Sequence, residues 1–165
     1  MIAAIRRSLV VALVASAIGG VGGCAGTTTS TAYTPVTGIT IRADSLITDY
    51  GCGKGTGQVY NYAAVVYDDA QAVRGAGLFP CFADGLFANL IGSATSNFTL
   101  KVYAFEQSRY DGQRSTIDAA INARDANGNL SPGVSTLDQL RTYGTNCVAT
   151  QQAGIQVLAV CKPLR

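Results

Sequence analysis

No histidine and no tryptophan occur in the 165 residues, so the chemistry open to this chain rests on carboxylates, cysteines, lysines and tyrosines. Lack of histidine excludes Ser-His and Cys-His nucleophiles, histidine-ligated zinc and 2-His-1-carboxylate iron. Hydrolysis of a glycosidic bond needs two carboxylates flanking it. The candidates are Asp68, Asp69, Asp84, Glu106 and Asp111. Each falls at an expected strand end or turn, where carboxylates are ordinarily solvated, and no spacing pairs any two, so no catalytic residue is assigned. Gly51-Cys-Gly-Lys54-Gly-Thr-Gly57 has glycines and a lysine suited to phosphate, but that chemistry needs Ser or Thr after the lysine and a helix beyond it. Gly55 follows Lys54 and no helical pattern opens, which leaves a loop beside Cys52. Asp125-Ala-Asn127-Gly-Asn129 places oxygens at alternate positions, as a calcium loop does. Leu130 and Thr136 stand where such a loop needs Gly and Glu, and tight turning by Asn and Gly accounts for the pattern. No Cys-x-x-Cys spacing occurs, so neither a metal nor any other cofactor is read.

Aromatic placement is the most informative pattern. Tyr60 and Tyr62 share one face of their expected strand, and Tyr103 and Phe105 share the face opposite Phe98, Leu100 and Val102. If the aliphatic faces make the core, these four rings form an outward stripe that could stack on sugar faces or bury against a partner. The competing arrangements are cross-strand aromatic pairing or cover from a helical segment within 115–143.

The amino-terminal stretch reads as a processing signal. Arg6 and Arg7 precede an apolar run from Leu9 to Ile18, too short for a permanent bilayer span. Val21-Gly22-Gly23-Cys24 follows: an aliphatic residue, two small residues, then cysteine. The leader resembles that of bacterial lipoproteins, and this tetrapeptide resembles their lipobox, with Val in place of the usual Leu. The resemblance implies cleavage before Cys24, acylation of its thiol and new amine, and attachment to a membrane through the acyl chains. One acyl chain binds only marginally, so several are needed for a lasting anchor. Ser8-Leu9-Val10-Val11 after the arginine pair fits the general export route better than the twin-arginine one. Ala25 stands where an Asp favours inner-membrane retention in such lipoproteins, which implies the outer membrane in a two-membrane host. Loss of residues 1–23 removes Arg6 and Arg7, leaving ten basic against ten acidic residues. No basic patch then points to nucleic acid.

With Cys24 as the lipid site, Cys52, Cys81, Cys147 and Cys161 remain, an even set in an oxidising compartment. Four cysteines allow three connectivities; Cys147 and Cys161 flank an expected hairpin, which favours pairing them with each other and Cys52 with Cys81.

These residues need elements to position them. Residues 24–38, rich in Thr and Ser, read as a tether, and 39–165 as one domain. Strand patterns dominate: Ile39–Ile47, Gln58–Asp68, Leu78–Phe82, Leu86–Ile91 after an Asp84-Gly85 hairpin turn, Phe98–Gln107, and a last hairpin of Asn146–Thr150 with Ile155–Cys161. Ser115–Arg124 carries a capping-box-like Ser115 with Asp118, and Ile117 with Ile121 at helical spacing. Thr136–Tyr143 could add another turn or two, ending at Gly144. The expected class is therefore mainly β, an antiparallel sandwich, Ig-like or transthyretin-like, with one or two short helices inserted at 115–143 to cover an open end. Asp84-Gly-Leu-Phe87-Ala-Asn-Leu90 with Phe98-Thr-Leu100-Lys-Val102 resembles the transthyretin-like modules known as carboxypeptidase regulatory domains. That resemblance implies an accessory, non-catalytic sandwich.

The expectation is a lipid-anchored, non-enzymatic envelope lipoprotein with a structural or interaction role. The alternatives are a glycan- or peptide-binding module using the aromatic stripe, and an envelope hydrolase. The expected partners are the membrane and an envelope protein or glycan.

Overall fold

Burial on both sides of one strand sets the architecture. In Asn61–Tyr67 (NYAAVVY), every side chain from Tyr62 to Val66 is fully buried. A sheet carrying such a strand must be covered on both faces. The computed structural model describes residues 35–91 and 95–165. The leader, Cys24 and the start of the tether lie outside these residues. In chain order the elements are β1 (Pro35–Ile41), α1 (Ala43–Leu46), β2 (Asn61–Tyr67), β3 (Val73–Pro80), β4 (Gly85–Ile91), β5 (Thr95–Phe105), α2 (Gln107–Asn122), α3 (Val134–Leu140), β6 (Tyr143–Gln152), β7 (Gln156–Leu158) and β8 (Val160–Cys161).

Two sheets form a β-sandwich, one of three strands in the order β4-β1-β7 and one of five in the order β3-β2-β5-β6-β8. The mainly β class with a few short helices is the one expected. Between the sheets lies the first core, with Tyr62, Ala64, Val66, Phe98, Leu100 and Val102 from the large sheet facing Ile39, Ile41, Phe87 and Leu90 from the small one. On the other face of the large sheet, Ala63, Val65, Tyr103 and Phe105 meet Tyr110, Ile117, Ala120 and Ile121 of α2 and Leu137 of α3. The helices therefore form a third layer over a sheet face, rather than a plug at an open end.

Several boundaries differ from the sequence reading for physical reasons. β1 opens at Pro35, so Pro35–Gly38 belong to the sheet and not to the tether. The alternation at Ile39 and Ile41 stops there, because Ala43 turns into α1, where the Asp84 carboxylate accepts its N–H at 2.9 Å. Asp84-Gly85 is not a hairpin turn: β3 lies in the large sheet and β4 in the small one, so the chain changes sheets there. Helix α2 starts at Gln107, directly after β5, and has a non-helical residue at Gln113. The capping signal at Ser115 marks where the helix resumes beyond that kink. The last hairpin is also split. Residues 156–158 run parallel to β1, Ala159 donates its N–H to the Thr40 carbonyl at 2.8 Å, and Val160–Cys161 then pair with β6. This crossing introduces one parallel pairing into an otherwise antiparallel sandwich and ties the two sheets along one side.

Two covalent bonds and one glutamine reinforce the join. Cys147 bonds to Cys161 across β6 and β8, and Cys52 to Cys81, which is the expected pairing. Each bridge closes a loop of a size that typically stabilises by about 3 kcal/mol. Gln151, fully buried, donates from Nε2 to the carbonyls of Gly38 at 3.2 Å and Ile155 at 3.3 Å. Gly38 has φ +154, and a Cβ there would lie 2.8 Å from the Phe87 carbonyl oxygen, so only glycine lets β1 and β4 approach this closely.

Candidate functional site

The four aromatic residues do not form one outward stripe. Tyr103 and Phe105 share a face of β5, as their spacing requires, but α2 and α3 cover that face and both are buried. Tyr62 points the other way, into the core between the sheets, where its hydroxyl donates to the Ala83 carbonyl at 2.8 Å. Burial first, and then the Asp84 charge, hold the Tyr62 phenol above the usual tyrosine range. Tyr60 and Tyr62 do not share a face. Tyr60 precedes β2, and its ring lies 5.8 Å from that of Tyr110 on the helical side. Of the four, Tyr60 is the one placed to meet a ligand.

Tyr60 forms part of a surface cleft of about 380 Å³ with Cys52, Lys54, Asn61, Pro80, Cys81 and Phe82. Three segments position it. The Cys52–Cys81 bond pins the loop before β2 to the turn after β3. Tyr60 fixes the floor, donating its N–H to the Phe105 carbonyl at 2.8 Å and accepting the Cys81 N–H at 3.1 Å. A tight turn, in which the Ala83 N–H reaches the Pro80 carbonyl at 3.0 Å, ejects the Phe82 side chain into solvent, where it is 80% exposed. Sequence reasoning placed Phe82 at the end of a strand and missed it. The available signal was its setting between Pro80-Cys81 and Asp84-Gly85, which is turn chemistry.

The glycine loop forming the other wall is tied to itself rather than poised for phosphate. Gly55 donates its N–H to Gln58 Oε1 at 2.9 Å, and Gly53 donates to the Val59 carbonyl at 3.0 Å. The Asp125 carboxylate is likewise occupied by its own turn, accepting the N–H groups of Asn127 and Asn129. Those contacts, the Asn129 backbone bond first, hold its carboxyl below the usual range.

The acidic candidates are largely separated. Asp68 pairs with Arg74 at 2.6 Å, Asp69 accepts the Asn97 N–H at 3.4 Å and Asp84 caps Ala43. Glu106 and Asp111 share a recess of about 200 Å³ with Lys54. There Glu106 is half-buried and Asp111 exposed, and the Tyr143 hydroxyl lies 3.1 Å from both Glu106 Oε1 and the Gly57 carbonyl. Its single proton serves one acceptor at a time. Burial and then the Glu106 carboxylate push that phenol up.

No protein-family model matches the chain. No curated protein matches it either. Among solved structures, a crystal structure from Bacteroides eggerthii, of a protein provisionally described as a cell adhesion protein, aligns at 12% identity and a TM-score of 0.36. The alignment covers 79% of this chain and 41% of that one, so the chain spans less than half the length of that protein. A likeness this distant transfers no function. Among the described residues, no helix is long and apolar enough to cross a membrane. Two structural disulfides are the mark of an oxidising compartment and point to an extracytoplasmic protein.

Proposed function

We propose that this protein is a non-enzymatic interaction module of the bacterial envelope, held to a membrane by acyl groups on Cys24. It would engage a glycan or peptide segment through the cleft beside Cys52–Cys81. The observation that carries this reading is Phe82, a phenylalanine 80% exposed at the rim of an aromatic- and proline-walled cleft whose two sides are joined covalently. Rigid aromatic anchors with few rotamers bind at low entropic cost. The lipobox-like Val21-Gly22-Gly23-Cys24 and the neutral mature charge support attachment through lipid rather than a basic surface.

The test is a panel of envelope polysaccharides and peptides against the full-length protein in detergent, with Phe82→Ala as the control. The expected result is retention of at least one ligand class that falls about tenfold or more in affinity with Phe82→Ala, while the melting temperature stays unchanged. Equal retention by the variant, or no retention by the parent, would overturn the assignment of the cleft.

A further inference from the structure

The large sheet ends in an open edge. β3 stands last in the order β3-β2-β5-β6-β8, and among the described residues its backbone over 75–79 pairs with β2 alone. Both faces of β3 are covered. Ala76 and Leu78 pack under the helices, and Phe79 packs into the core between the sheets. Gly75 lies against Phe87, where a Cβ would stand 3.0 Å from the ring. Its neighbour β2 is fully buried from Tyr62 to Val66, yet each of residues 75–79 keeps intermediate exposure. With the faces taken, that exposure belongs to the edge. There every second residue turns an N–H and a C=O outward, and these groups need water or a partner.

The other three sheet edges are blunted in ways that stop strand addition. β8 has two residues, and the chain beyond it follows β6 through Lys162 and Pro163 to Arg165, which exchanges hydrogen bonds with Gly144 at 2.8 and 3.1 Å. β7 has three residues. β4 is interrupted at Asn89, with φ 56. In β3, residues 75–79 carry no charge, no proline and no positive φ. Arg74 and Pro80 bound this window, and Arg74 is held by Asp68.

We propose that residues 75–79 of β3 take an extended peptide from another protein as an added strand, with the end of that peptide lying in the Phe82 cleft. Pro80 is both the last residue of β3 and a wall of the cleft, so edge and cleft run into one another. The place given to the peptide's end rests on the cleft reading above; the strand pairing does not. An extended polypeptide presents N–H and C=O groups at the spacing of the edge, which a glycan does not. The window at about 3.4 Å per residue gives a pairing length of about 17 Å, so a segment of about seven residues covers edge and cleft. A second copy fits this edge less well. Antiparallel pairing of two β3 strands centred on Gly77 sets Arg74 of each opposite Pro80 of the other, bringing a cation to a cleft that already holds Lys54.

The test uses isotope-labelled full-length protein in detergent and the capped peptide Phe-Thr-Val-Thr-Val-Thr-Phe as probe. A second probe is the same peptide methylated at every internal nitrogen. Saturable binding of the first is expected, with exchange of the outward amides of 75–79 slowed about tenfold or more and that of β6 unchanged. The methylated probe keeps the side chains and loses the donors, so it should bind at least about tenfold more weakly. Phe82→Ala should weaken the first probe, while exchange along β3 still slows at saturation. Equal affinity in that variant would remove the cleft reading and leave the added strand standing. The proposal is overturned if the first probe does not saturate, if the methylated probe binds equally, or if the outward amides resist exchange before any peptide is added. In that last case sedimentation tells a second copy, which gives a dimer, from cover by residues 25–34 of the same chain.

Discussion

A phenol sealed in a protein interior ionises only when the fold opens. Tyr62 and Tyr103 are two such groups, and burial is the main reason their phenols stand above the ordinary value of 10.0. In the unfolded chain they titrate near that value, so the unfolded state gains ionisation free energy first. Stability is therefore intact below pH 10 and is lost as pH rises past it. Alkaline titration should show one set of tyrosinates appearing smoothly, and a second set appearing only together with the loss of circular dichroism. Complete tyrosinate formation in a chain that stays folded would contradict the burial of these two rings. The same residues mark how far residue-level reading reached. Their alternation was legible, and for Tyr103 and Phe105 it assigned a shared face correctly. For Tyr60 it did not, because the strand begins only at Asn61 and the period of two has no force before it.

At the scale of elements, the layer made by α2 and α3 decides what the large sheet presents to solvent. Its hold on the sheet rests on a short apolar line: Tyr110, Ile117, Ala120 and Ile121 of α2 and Leu137 of α3. Ile117 is fully buried, so Ile117→Ala should destabilise by about 2–5 kcal/mol, read from chemical denaturation, and should raise the exposure of Tyr103 and Phe105 to quenchers. A change below about 1 kcal/mol would mean that the helices do not pack as described. The sequence carried half of this element. Ile117 and Ile121 stand at helical spacing, but Gln107–Gly112 is polar, ends in glycine and offers Tyr110 as its buried contact, so the first turns gave no period to detect. The split of the last strand was illegible for another reason. Residues 156–161 suit a strand throughout, and the change of partner at Ala159 depends on β1, more than a hundred residues earlier.

For the whole molecule, the anchor and the domain make separable claims. Cys24→Ser should leave an uncleaved or soluble product, while the domain keeps both disulfides and its melting temperature. Fractionation and non-reducing peptide mapping would measure this. Normal membrane association of the variant would remove the lipid from the account and leave the two bridges untouched. One disulfide, Cys52–Cys81, lies beside the Phe82 cleft, and the other, Cys147–Cys161, where the two sheets are tied, so neither bridge depends on the anchor.

Local pattern alone determined the strand-rich class, the two faces of Phe98–Phe105 and an even set of four cysteines, because alternation, turn residues and cysteine number are properties of short stretches of chain, whereas the choice among three possible pairings is not. Tertiary structure alone decided which faces are covered. It put Tyr103 and Phe105 of the expected aromatic stripe into a second core and Tyr62 into the first, and it set Phe82 on the rim of a cleft that Tyr60 helps to line. A strand's period says which side chains share a side. What packs against that side is set by helices and strands distant in the chain, and no short-range pattern contains them.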